Sequence, residues 1–459
     1  MRGVLRGVAR ALLCAALVAC ARPAQRPDVL LVTIDTLRAD ALGAFGAGAD
    51  ASPQLDALAR QSALFPRALA ASASTAPSHA SIFTSRFVRG HSVGQRNGSS
   101  RLGDVPTLAT AFADAGYETA GFVSNIMLRR QQGFDRGFAI YDDALPDSEA
   151  NRHVFERVAA QTAAAAQAWL AQPHARPVFV WVHFNDPHGP YSPPREWVRP
   201  LPSPAGEAPL PVLPYLIGLR GIPAYQAVGD ERLPSQYRAR YAGEVRYLDA
   251  ELGKLLAAFE ARPRGRDAVI ALTADHGEAM GEDEIWFCHG YAVTPNLAHV
   301  ALLVRAPGLP AGSVTGTAHH VDVAPTLLEL AGLPPLPGSA GIALGPIARA
   351  GGEIPLRTLF VETLGEIGAY RGDRFVRQAT DPLLGDPLAW APRESLWRDG
   401  DGVEAAAPDP ELEDSLRRYA AVRAPLQIIP EALNDADRDR LRALGYLAPA
   451  PSPAARDPK

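Results

Sequence analysis

Three short apolar runs constrain the fold of this chain more than any other feature. They are VLLVTI (29–34), PVFVWV (177–182) and AVIALT (268–273). Each is continuous rather than alternating, which fits a strand covered on both faces, as in a parallel sheet. Each is also followed by polar side chains able to bind a metal: Asp35 after the first, His183 and Asp186 after the second, Asp275 and His276 after the third. Open α/β sheets bind ligands at the carboxyl ends of their strands. The expected fold class is therefore α/β, a central, mostly parallel sheet flanked by helices.

Helices are expected between the strands. Ser52-Pro53 to Leu64 reads as a helix with Ser52 at the N-cap and Pro53 at N1. Residues 154–171 are alanine-rich, and 235–261 carry apolar residues at helical spacing. Residues 193–234, rich in proline and glycine, read as an insertion or a lid, and equally as a surface loop. The main body is expected over 27–339. From about 340, short mixed runs such as TLFV and DRFVR predict a small α+β subdomain with antiparallel strands over 340–447. The last residues, 448–459 (APAPSPAARDPK), read as a disordered tail.

The first 20 residues read as an address. Arg2, Arg6 and Arg10 precede the run ALLCAALVAC, which is too short to span a bilayer, for which about 20 apolar residues are needed. The run ends Leu17-Val18-Ala19-Cys20, resembling a bacterial lipobox. Residues 1–20 are thus expected to be a lipoprotein signal with Cys20 as the lipidated residue; an ordinary signal peptide cut nearby is the alternative. The expected location is the bacterial cell envelope, anchored to the membrane by lipid and facing the periplasm or exterior. Loss of residues 1–19 would take the formal charge from −5 to −8 by removing three arginines, so no nucleic-acid partner is expected. Of three cysteines, only Cys288 lies outside this segment, which excludes an internal disulfide and suits a small apolar filler.

The stretch ASTAPSHASIFT (73–84) offers hydroxyls at Ser74, Thr75 and Ser78, none reactive alone. A divalent metal can lower the pKa of bound water from about 15.7 to about 7, and a threonine hydroxyl starts near the same value. Asp35 by itself is weak evidence, because most such residues are caps or turn formers. The adjacent pair Asp275-His276, followed by Gly277-Glu278, better suits a shared cation bound mainly by oxygen. On residue type alone, Ser74 or Thr75 could equally be a helix N-cap.

A resemblance narrows this. DVLLVTIDTLRAD (28–40), SPQLDALARQSALFPRALA (52–70), TAPSHASIFTS (75–85) and AGYETAGFVSN (115–125) occur in order. They are followed by GFDRGF (133–138), VHFNDPHGPY (182–191), TADHGEAMGE (273–282), HVDVAPTLLELAGLP (320–334) and LRALGYL (441–447). Together they resemble the sulfatase family of the alkaline phosphatase superfamily across nearly the whole chain. The resemblance implies an alkaline-phosphatase-like sheet and one divalent ion (Ca, Mn, Zn or Mg) held by Asp35, Thr75, Asp275 and His276. It implies catalytic roles for Thr75, His188 and His289, with Tyr291 and His299 as rivals of His289.

Departures from the family pattern bear on the chemistry. Thr75 stands where sulfatases carry the cysteine or serine that becomes formylglycine. Threonine would give a ketone, so no formylglycine is expected. His79 replaces the motif arginine, Thr36 the second aspartate, and Ser124 and Ile126 the expected lysine and histidine. These changes are similar to family members that use threonine directly on phosphorus. The expected function is a metal-dependent hydrolase of a sulfate- or phosphate-type ester, with phosphoesters and phosphonates favoured and Thr75 forming a covalent intermediate. The substrate would be a small, glycan-linked or lipid-linked anionic ester. Two alternatives stand beside it: a phosphoglycerol- or phosphoethanolamine-type transferase acting on envelope glycan or lipid, and a catalytically silent binding lipoprotein.

Overall fold

The computed structural model describes residues 26–94, 101–145, 156–214, 217–380, 393–398 and 402–422. Residues 1–20, the tail 448–459 and LRALGYL lie outside the described residues.

The three apolar runs form the strands Val29–Ile34, Val178–Phe184 and Val269–Ala274, every residue of them buried. They are neighbours in an eight-stranded sheet, with Val29–Ile34 between the other two and parallel to both. Glu118–Phe122 and Ile140–Asp142 extend the parallel part on one side. On the other side Leu302–Arg305 runs antiparallel to Val269–Ala274 and leads to Ala63–Leu64 and Gly312–Ser313. The sheet is thus mostly parallel and flanked by helices, with Pro234–Glu260 the longest of those described.

Register does the work of assembling the site. Thr33 pairs with His183 on one neighbour and Thr273 on the other. One step on, Ile34 pairs with Phe184 and Ala274, and the ladder continues as Asp35 N–H donates to Phe184 O and Asp275 N–H to Ile34 O. Because side chains alternate, Thr33, His183 and Thr273 share a face with Asp35, Asn185 and Asp275. Adjacent strands lie about 4.8 Å apart, so the two aspartates start one strand spacing from each other.

The helix Thr75–Thr84 covers that face and is buried along its whole length. His79 Nε2 lies 2.9 Å from Thr33 Oγ1, and Phe83 meets Trp181 edge-on at 4.6 Å between centroids. Such contact on all sides requires the mixed small and apolar sequence TAPSHASIFT.

Two sequence expectations are corrected. The helix begun at Pro53 ends at Ala59 rather than Leu64, because Ala63–Leu64 is drawn into the sheet beside Leu302–Arg305. Ser52 occupies the N-cap position without capping: its hydroxyl accepts from Gly43 N–H and donates to Asp56. The cap is supplied from elsewhere, by Asp249 accepting from the N–H groups of Gln54 and Leu55.

The segment 193–234 carries short 3₁₀ turns and the strand pair Val212–Leu213 and Ile222–Pro223. It packs on the loop before His289: Trp286 N–H donates to Gly218 O, Tyr225 OH to Phe287 O, and Gly218 N–H to the Cys288 thiol. Beyond residue 358 an antiparallel five-stranded sheet forms, flanked by the helix Pro410–Ala421. Leu412 and Leu416 cover one face of it, over Ile367, Ala369 and Val376. Its other face joins the main body through Leu69, Val293 and Ala298. Among the described residues no helix is long and apolar enough to cross a membrane.

Candidate active site

Asp35, Asp275 and His276 meet with one ligand atom of each within 4.8 Å of the others, all three residues fully buried. Their hydrogen bonds show which atoms these are. Asp35 Oδ2 accepts from Asn125 Nδ2 at 2.8 Å, leaving Oδ1 without a partner. Asp275 Oδ1 accepts from Thr36 N–H at 3.1 Å, leaving Oδ2 without one. His276 Nδ1–H donates to Gly277 O at 2.9 Å, leaving Nε2 without one. The three orphaned atoms face each other: Nε2 is 3.7 Å from Asp35 Oδ1 and 3.6 Å from Asp275 Oδ2.

Buried polar atoms are almost always satisfied, so three converging lone-pair atoms call for a cation. Burial, with His289 alongside, lowers the His276 pKa to about 3, so Nε2 carries no proton of its own to fill the space. Burial and the nearby Asp35 raise Asp275 well above the usual carboxylate range. For Asp35, burial is outweighed by His188, His183 and His276, and its pKa falls below that range. Two oxygens and one imidazole nitrogen are a donor set suited to a divalent ion, and these residues fit one.

A second triad, His79, His183 and Asp275, is equally close and buried. His79 is already committed, however. Its Nδ1–H donates to Thr75 O at 2.8 Å, and its Nε2 accepts from Thr33 Oγ1, which itself accepts from Trp181 Nε1. Burial also drives its pKa well below the ordinary value. His79 therefore fastens the start of the helix to the sheet. Ser124 and Ile126 are likewise structural, the first bonding Thr162 Oγ1 and His183 O and the second buried apolar surface, whereas the buried Thr36 Oγ1 has no hydrogen-bond partner.

Thr75 is the first residue of its helix and Ser74 the N-cap, where it makes no side-chain cap bond. The helix thus opens at Thr75 itself. Thr75 Oγ1 turns toward Asp35 Oδ2, 3.5 Å away. Ser74 Oγ turns toward Gly290, lying 3.1 Å from where a Cβ there would sit. The two hydroxyls are thereby separated.

The histidines reading as catalytic lie beside the triad. His289 packs on His276 with the rings tilted by 37° and 4.5 Å between centroids, and His188 meets His289 edge-on at 5.1 Å. His188 Nδ1 is 2.8 Å from Gly189 O and 3.2 Å from Glu156 Oε1. Burial opposes charge on His188, but Asp35, Glu156 and Glu278 outweigh it and push its pKa up to about 10. Of the rivals, His299 bonds Pro66 O and packs on Trp397. Tyr291 packs against Ala73, Ala279, Ala292 and Leu297. Neither belongs to the histidine cluster. Cys288 is buried, and burial raises its thiol pKa to about 12, so it is an inert filler.

Four residues of the site escape sequence reasoning in their roles. Asn125 is oriented by Met127 N–H, which its Oδ1 accepts, so its Nδ2 must face Asp35 and Asn185. Asn185 shares that amide. His183 is buried 3.6 Å from Asp35 Oδ2, with neither ring nitrogen hydrogen-bonded. Glu156 arrives from a distant part of the chain. All but Glu156 lie in stretches of the family pattern, but an amide has no distinguishing spacing.

A family model described as sulfatase matches residues 27–333. The chain belongs to the sulfatase family, within the alkaline phosphatase-like superfamily, and is a sulfatase-like ester hydrolase. It is 24% identical over 366 residues to the Δ4,5-hexuronate-2-O-sulfatase of Bacteroides thetaiotaomicron, covering 72% of this chain and 73% of that protein. It is 25% identical over 369 residues to the choline-sulfatase of Rhizobium meliloti, covering 70% and 71%. The phosphonate monoester hydrolase of Agrobacterium radiobacter shares its fold, with a TM-score of 0.67 at 22% identity over 86% of this chain and 94% of that one. Sulfatase-family enzymes use a metal ion, in keeping with the triad.

Proposed function

We propose that this chain hydrolyses a phosphoester or phosphonate ester, with Thr75 as nucleophile. The observation that carries the reading is Thr75 Oγ1 turned to Asp35 beside three converging orphaned ligand atoms. Asp35, Asp275 and His276, with Thr75 Oγ1, would hold one divalent cation, which when bound lowers the proton affinity of a hydroxyl and offsets charge on anionic oxygens. Thr75 Oγ1 attacks phosphorus and forms a new O–P bond as the bond to the leaving oxygen breaks, its proton passing to water. His188 is held at Nδ1 by Gly189 O and Glu156, and gives the proton on Nε2 to the leaving oxygen. Water then attacks phosphorus and gives a proton to His188 Nε2, the O–P bond to Thr75 Oγ1 breaks, and the released oxygen takes a proton back from water. His289, beside both His276 and His188, contacts the anionic oxygens.

Phosphorus is favoured over sulfur for two reasons. Thr75 cannot become formylglycine, and His79, Ser124 and Ile126, which stand in place of the family's arginine, lysine and histidine, are occupied in hydrogen bonds to the scaffold or in packing. A cell-envelope address, a lipid anchor at Cys20 and a substrate carried on a small molecule, glycan or lipid belong to the same proposal and rest on the sequence.

The test is turnover of matched nitrophenyl sulfate, phosphate monoester, phosphodiester and phosphonate by the chain without residues 1–20, with added Mn, Zn, Mg or Ca. Turnover of a phosphorus ester that vanishes with Thr75→Ala is the expected result. Sulfate turnover surviving that change would overturn it, and a protein that turns over nothing and binds no metal would be a silent scaffold.

A further inference from the structure

Glu278 is fully buried, yet no step above uses its carboxylate. Both of its oxygens are engaged. Oε1 lies 3.2 Å from His289 Nδ1, and Oε2 accepts from Tyr191 OH at 3.1 Å. Its backbone carbonyl accepts from Arg38 Nη1, whose guanidinium also grips Asp40 and Glu282. Tyr191 is itself wholly buried, against Tyr241 and Phe287. A carboxylate held at both oxygens cannot swing, and one facing a ring nitrogen requires a proton there. Facing a carboxylate oxygen, Nδ1 is the nitrogen of His289 that donates, which leaves Nε2 directed away from Glu278.

We propose that Glu278 is a positioning residue for the reaction: with Tyr191 behind it, it fixes the ring orientation and tautomer of His289 so that Nε2 meets the anionic ester. This rests on the reading of His289 as a substrate contact. The chain Tyr191–Glu278–His289 parallels the way an outer carboxylate orients a working imidazole, where loss of the outer group costs about 10–100-fold. Gln at 278 is isosteric but can offer its NH₂ to Nδ1 and select the other tautomer.

A double-mutant cycle tests this on the metal-loaded protein, with metal stoichiometry measured alongside. Glu278→Gln is expected to lower kcat about 10–100-fold with metal content unchanged, Tyr191→Phe to lower it a few-fold, and neither to matter once His289→Asn is present. If the losses instead multiply, or Glu278→Gln loses metal, Glu278 does not act through His289 and the inference is overturned. If His289→Asn alone leaves turnover unchanged, the reading of His289 is what fails. Should Glu278→Gln not fold, Tyr191→Phe in the presence and absence of His289 decides the same question.

Discussion

Thr75 and Ser74 are adjacent, but their hydroxyls face different neighbours, one toward Asp35 and the other toward Gly290. Thr75→Ala is therefore expected to lower kcat by about 10³-fold or more, whereas Ser74→Ala should stay within a few-fold, as read by steady-state kinetics. Thr75→Ser keeps the oxygen and should retain measurable turnover. His188→Asn separates substrates by leaving group: alkyl esters, whose leaving oxygen needs a proton, should lose about 10²–10⁴-fold. Nitrophenyl esters should lose far less. At this scale much of the site was legible, because Asp35 and Asp275-His276 follow apolar strands and Thr75 sits in a family motif. His79 was not. Its type suggests a ligand, and only its two hydrogen bonds, to Thr75 O and Thr33, show it to be a fastening.

At the scale of elements, parallel register makes two carboxylates neighbours, and a sharp turn after His276 keeps them so. Gly277 donates its N–H to Leu297 O, and a Cβ on it would lie 2.2 Å from Asn296 O. Backbone cannot yield cheaply, so Gly277→Ala is expected to cost about 1–3 kcal/mol and to reduce metal occupancy by displacing His276. Thermal melting and metal analysis of the purified variant check both. Strands of six or seven apolar residues announce themselves in the sequence. Ala63–Leu64 does not, since two residues carry no period, and pairing with Leu302–Arg305 overrides the helical pattern running into it.

At the scale of the whole molecule, several histidines that are not part of the metal triad are buried as neutral rings. Burial, with Arg86 nearby, lowers His91 to about 3; burial lowers His320 to about 4 and, with His320 and Arg357 nearby, takes His319 well below its ordinary value. The unfolded chain binds these protons near pH 6.5, so it takes up more protons than the folded one between there and about pH 3–4. The stability these three rings contribute is thus complete above about pH 6.5 and is lost as pH falls. The fall in melting temperature below about pH 6 should be shallower in His91→Asn than in the unaltered protein; equal slopes would contradict this. Fold class was legible here from strand pattern alone. The joining of the C-terminal sheet to the body was not, since it depends on Leu69, Val293 and Ala298, contributed from two separate parts of the main body.

The central claim is that Thr75 carries the transferred group. It is tested most directly by acid-quenching the metal-loaded protein during turnover of a phosphonate or phosphate ester and mapping the adduct by peptide mass spectrometry. The account predicts one phosphoryl or phosphonyl group on Thr75, absent from Thr75→Ala. An adduct on Ser74, or steady turnover with Thr75 never modified, would contradict it.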